Sequence, residues 1–104
     1  MPAPELDPDQ RRAALDKAAS ARRTRADLKA RLKAGEASLV EALSSDDEAV
    51  RNLKVSELLA ALPRVGPITA AAWMQRLGIA PSRRVRGLGP RQRERLLDAF
   101  PEHS

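Results

Sequence analysis

Leu62-Pro63-Arg64-Val65-Gly66-Pro67-Ile68-Thr69-Ala70 is the stretch on which the fold turns. Upstream, Ser56 is placed to cap a helix from Glu57 to Leu62, with Val55 as the hydrophobic staple against Ala60. Downstream, Ile68 to Leu77 reads as a second helix that Gly78 ends. Pro63, Gly66 and Pro67 punctuate the residues between them, so the two helices form a tight hairpin. The hairpin is either a plain interhelical turn or an anion cradle, because the free N–H groups at a helix start attract negative charge.

Working outward, helix signals continue in both directions. Pro90 opens a last helix to about Phe100, stopped by Pro101. Towards the N-terminus, Ser38-Leu39-Val40-Glu41 is a capping box for a short helix to about Leu43, and residues 44–48 cap another through Val50 and Leu53. Asp7-Pro8-Asp9-Gln10 starts a long helix, with Asp7 as cap and Pro8 at its first position; nothing breaks it before Lys33, and Gly35 supplies the stop. Twenty-six residues at 1.5 Å rise make a rod of about 39 Å. Its larger apolar residues are Leu15, Leu28 and Leu32, so its C-terminal third is predicted to dock while the first half projects. No segment alternates with period two over a strand's length. The predicted fold is all-α: a tail and long basic helix over residues 1–35, then a compact helical core over 36–104.

Composition narrows function. The 104 residues hold one tryptophan, one phenylalanine and no cysteine, which excludes disulfides and thiolate metal sites and fits a reducing compartment. No apolar run approaches a membrane span, and the N-terminus lacks the order of a signal peptide, so a cytoplasmic protein is expected. Charge is segregated. Residues 1–33 carry nine basic against five acidic groups, residues 34–62 two against six, and residues 63–104 eight arginines against three acids. Basic zones flanking an acidic middle are the footprint of a polyanion-binding protein.

Ser82-Arg83-Arg84-Val85-Arg86-Gly87-Leu88-Gly89-Pro90 concentrates that charge. Each guanidinium offers a planar fork of donors that suits phosphate oxygens, and Gly87 and Gly89 let backbone approach a ligand. The plainer reading is a solvated loop. On the long helix Arg22, Arg25 and Lys29 share a stripe at spacings of three and four, either a second contact surface or an ordinary solvated face.

The hairpin resembles the helix-hairpin-helix signature, Leu-Pro-Gly-Val-Gly followed by a helix, in which hairpin amides and the second helix cradle a DNA phosphate. Arg64 stands where that signature has its first glycine, and Pro67 lacks an N–H. The order of elements is more specific: an Ala- and Arg-rich helix, Lys54-Val55-Ser56-Glu57-Leu58-Leu59, the Leu62 to Gly66 hairpin, Leu77-Gly78-Ile79 and the arginine-glycine run. From Leu6 to Phe100 the chain resembles the actinobacterial integration host factor family. The resemblance implies a nucleoid-associated protein with a helix-two-turns-helix core that binds double-stranded DNA with little sequence preference, bends and compacts it, and assists site-specific recombination. It implies that Arg83, Arg84 and Arg86 grip the sugar-phosphate backbone and that Arg64, Val65 and Gly66 lie at the hairpin contact. A monomer, with several copies along DNA, and no cofactor, metal, membrane or small-molecule substrate are expected.

Two rival classes share features with this chain. DNA glycosylases with an N-terminal proline nucleophile also carry a helix-two-turns-helix domain, but Pro2-Ala3-Pro4-Glu5 departs from their start, and this chain lacks a β-rich catalytic domain and a cysteine zinc finger. The lone His103 lies in the tail, so catalysis is not expected. An RNA- or ribosome-associated protein is the alternative binding class; it lacks support because Trp73 and Phe100, at helical core positions, leave no stacking platform.

Overall fold

The computed structural model describes residues 7–103, so Pro2 to Leu6 lie outside the described residues. Six α-helices follow in order: α1 Pro8–Lys33, α2 Leu39–Leu43, α3 Glu48–Arg51, α4 Val55–Ala60, α5 Pro67–Arg76 and α6 Pro90–Ala99. Short 3-10 turns at Val85–Gly87 and Pro101–His103 complete them, and the predicted all-α class with a long N-terminal helix holds.

Local caps set most boundaries. Asp7 accepts a hydrogen bond from the Gln10 N–H at 2.7 Å, and the Gln10 side chain accepts from the Asp7 N–H at 3.2 Å, which closes the box at the start of α1. At its end Gly35 takes φ +76° and the Glu36 N–H bonds back to Arg31 O at 2.8 Å, a Schellman stop. Gly78, at φ +67°, ends α5 in the same way through Ile79 N–H to Met74 O at 2.9 Å.

Two predicted caps differ. Ser38 accepts from the Glu41 N–H at 3.0 Å, but the Glu41 carboxylate does not return to Ser38; it accepts from Arg31 of α1, also at 3.0 Å. Half of the predicted box is therefore traded for a tie between helices. Ser56 caps nothing, because α4 begins one residue earlier, at Val55. The Val55 N–H, one of the first-turn donors without a partner inside the helix, donates to Arg83 O at 2.9 Å.

The core is built almost wholly from Leu, Val and Ala, with Met74, Ile79 and Phe100 added. Leu28 and Leu32 are the buried residues of α1, and every residue from Asp7 to Ala18 is exposed, Leu15 included. That overhang gives the chain a radius of gyration of 16.0 Å, where a compact domain of this length has about 13 Å. Trp73 is half-buried, its ring 5.1 Å from that of Phe100, and the Arg76 guanidinium lies 4.9 Å from its centroid. Neither aromatic ring is left as an open stacking platform. Among the described residues no helix is long and apolar enough to cross a membrane.

Candidate nucleic-acid interface

The hairpin between α4 and α5 is held from below. Leu62 and Val65 are buried, and the Val65 N–H donates to Leu62 O at 3.1 Å. Val65 is thus an anchor whose amide is already engaged, and it does not face outward. Between these anchors Arg64 adopts φ +66°, the left-handed conformation that glycine adopts without strain. The hairpin thus carries an exposed cationic side chain at its tip, on backbone of the kind glycine favours.

Gly66 is the N-cap of α5. Its φ of −99° and ψ of −178° are extended, open to any residue, and a Cβ there would meet nothing within 4 Å. What glycine contributes is the absence of a capping side chain, so no side chain occupies the first-turn amides of α5. Gly89 and Pro90 repeat this arrangement at α6, where the Gly89 N–H donates to Gln92 Oε1 at 3.1 Å and again no side chain caps the first turn. Two Gly-Pro helix starts therefore stand at the two turns, each next to arginines in the sequence.

The arginine segment is not a free loop. Lys54 and Arg84 form an isolated antiparallel bridge, and Val85 N–H donates to Leu53 O at 2.9 Å. Its three guanidinium groups have partners within the chain. Arg83 Nη1 donates to Gly87 O at 3.1 Å, Arg84 Nη1 to Asn52 O, and Arg86 Nη2 to the Glu48 carboxylate. Arg83 Nε is buried without a hydrogen-bond partner. A Cβ on Gly87 would lie 3.2 Å from Arg83 Cδ, so the glycine there makes room for the folded arginine.

Two contacts set the charge around this segment. Arg93 of α6 donates to Ser44 Oγ at 2.6 Å, while Arg91 and Arg95 of the same helix stay exposed. Lys17 and Arg25 of α1 line a shallow cleft with Glu48 and Asn52, the residues that also hold Arg86 and Arg84. Helix α3 thus stands between the basic arm and the arginine segment. Of the predicted stripe, Arg22 is exposed, Arg25 faces α3, and Lys29 with Lys33 borders a groove against Glu57, Ala60 and Ala61 of α4 and its C-terminal turn. The stripe runs beside the Leu28–Leu32 seam, which leaves Arg25 and Lys29 half-buried.

Sequence reasoning passed over several neighbours of the site. Lys54 is exposed beside Arg84, and Thr69 and Arg91 occupy the first turns of α5 and α6. The repeated Gly-Pro pair, at 66–67 and 89–90, was the signal for both helix starts.

A short helical hairpin, a second turn of the same build and a basic face define a helix-two-turns-helix protein. Residues 32–100 match the S13-like H2TH domain family. The chain is 53% identical over 102 residues to the integration host factor of Mycobacterium tuberculosis, covering 96% of this chain and 97% of that one. It is 52% identical over 104 residues to the integration host factor of Mycolicibacterium smegmatis, covering 98% and 99%. The Streptomyces coelicolor integration host factor is 52% identical over 94 residues, 88% of each chain. A solved structure of sIHF bound to an 8 bp palindromic DNA superposes with a TM-score of 0.80 at 48% identity, over 82% of this chain and 98% of that one. The chain belongs to the integration host factor family of these actinobacteria.

Proposed function

We propose that the protein binds double-stranded DNA through its backbone phosphates, with little sequence preference, and bends and compacts it in the bacterial nucleoid. The observation that carries this reading is the pairing of two uncapped Gly-Pro helix starts, at Gly66 and Gly89, with Arg64, Arg83, Arg84 and Arg86. Each helix start offers N–H groups to one phosphate oxygen, and each guanidinium adds a bidentate contact. Such contacts position a protein on a duplex without reading its bases. A relative at 48% identity bound to DNA supports the same ligand.

Residues 36–104 act as the gripping core and residues 1–35 as a lever. Arg22, Arg25 and Lys29 supply the second surface, which a bending protein needs in order to offset a deformation cost of about 1–6 kcal/mol. The protein works as a monomer in the cytoplasm, several copies lining one duplex, without cofactor or catalysis, and the bends assist site-specific recombination. Val65 serves this site by holding the hairpin, and Gly87 by seating Arg83.

Fluorescence anisotropy on two unrelated short duplexes at increasing salt tests the reading. With about four phosphates neutralised, log K falls against log salt with a slope of about −3.6. The triple replacement of Arg83, Arg84 and Arg86 by Ala weakens both duplexes alike. A titration flat in salt, or a preference for duplex RNA in competition, overturns it.

A further inference from the structure

One side chain at the candidate interface is neither charged nor explained by packing. Ile68, the second residue of α5, is 87% exposed, against 64% for Leu15 and 38% for Val40, the other exposed large apolar residues among those described. Its own helix has a sufficient inward face in Ala70 and Met74. A β-branched residue also brings no advantage of helix propensity to an exposed first turn. The position is specific. Cα–Cβ bonds tilt towards a helix's N-terminus, so the Ile68 side chain leans towards the uncapped start of α5, where Gly66 is the N-cap. A phosphate seated on that helix start brings the deoxyribose rings on either side of it to the same place.

We infer that Ile68 is an apolar DNA-contact residue that packs against the deoxyribose next to the phosphate held by α5. The inference rests on the DNA-binding reading above and deepens it by adding a component that salt does not screen. Deoxyribose is the same for every base pair, so the contact adds affinity without adding sequence preference. It also fixes the tilt of α5 on the backbone, which a lone phosphate contact leaves free to swivel.

The experiment compares wild type, Ile68→Ala and Ile68→Leu by anisotropy on one duplex across a salt series, with thermal unfolding alongside. Alanine is the better helix former and the site is exposed, so Ile68→Ala is expected to unfold no lower than wild type. Its log K line is expected to run parallel to that of wild type, weaker by about fivefold to tenfold at every salt concentration, with Ile68→Leu recovering most of the loss. Superimposed lines for wild type and Ile68→Ala overturn the inference and leave the phosphate-binding reading intact. A wild type that itself fails to bind, or binds without salt dependence, overturns that reading. A duplex carrying 2-aminopurine separates the mode: an Ile68-dependent rise in its fluorescence on binding means insertion between bases and overturns packing on the sugar.

Discussion

The Arg86 guanidinium donates to the carboxylate of Glu48, 38 positions earlier in the chain, and through it the arginine segment leans on α3. Both groups are substantially exposed, so the pair contributes no more than about 1 kcal/mol to folding. Its weight falls on binding, because a phosphate has to compete with Glu48 for the same donors. Glu48→Gln therefore strengthens DNA binding by up to about fivefold and leaves stability within about 1 kcal/mol. Anisotropy and thermal unfolding of the one variant check both halves; a weaker complex would mean that Glu48 holds Arg86 in its working position.

Gly66→Asp separates folding from binding at the other turn. The extended backbone and open space accept the side chain, and aspartate is a strong N-cap, so the variant gains a few tenths of a kcal/mol in stability. The same carboxylate occupies the first-turn amides of α5 and repels phosphate. Binding is expected to fall by about tenfold or more while the melting temperature holds or rises. Unaltered binding would place α5's N-terminus off the DNA.

Arg64→Gly works in the opposite direction. Relief of the left-handed backbone returns about 1–2 kcal/mol, less about 0.4–1 kcal/mol for the greater freedom of glycine in the unfolded chain. A net gain of about 0.5–1 kcal/mol is expected, visible as a melting temperature higher by a few degrees, together with weaker DNA binding and a shallower salt slope. If binding holds, the Arg64 side chain does not reach phosphate.

The arm is tested by charge and not by deletion. A chain beginning near Ala34 would lose Leu28 and Leu32 from the core, at about 2–5 kcal/mol for a buried leucine. Replacing Arg22, Arg25 and Lys29 by Gln keeps those residues. Energy transfer between dyes at the two ends of a duplex is expected to report a smaller bend for this variant, with melting unchanged within about 1 kcal/mol. An equal bend would confine DNA contact to the core.

Much of the fold was legible because its signals are local. Asp7-Pro8, Gly35, Gly78 and Pro90 each act within a few residues of where they stand, and helix ends are settled by backbone groups at that range. The same is true of the hairpin, where Pro63, Gly66 and Pro67 allow little besides a turn. Ser56 shows where local reading stops. Its pattern is that of a cap, yet the helix starts ahead of it at Val55, whose N–H is bonded to Arg83 O, a partner that no rule of neighbouring residues reports.

The candidate site divides along the same line. By itself the sequence determined an all-helical chain with two Gly-Pro turns and positive charge gathered at its two ends, because helix caps, periodicity and net charge are properties of short windows. Tertiary structure alone decided where that charge stands: Arg84 on Asn52 and Arg86 on Glu48, 32 and 38 residues away, with Arg25 in the cleft on the other side of α3. Those relationships exist only once loops have closed and the Leu28–Leu32 seam has docked. Arg83 finds its partner four residues on, at Gly87, but those of Arg84 and Arg86 follow from the helix that the fold brings beside them, not from their neighbours in the chain.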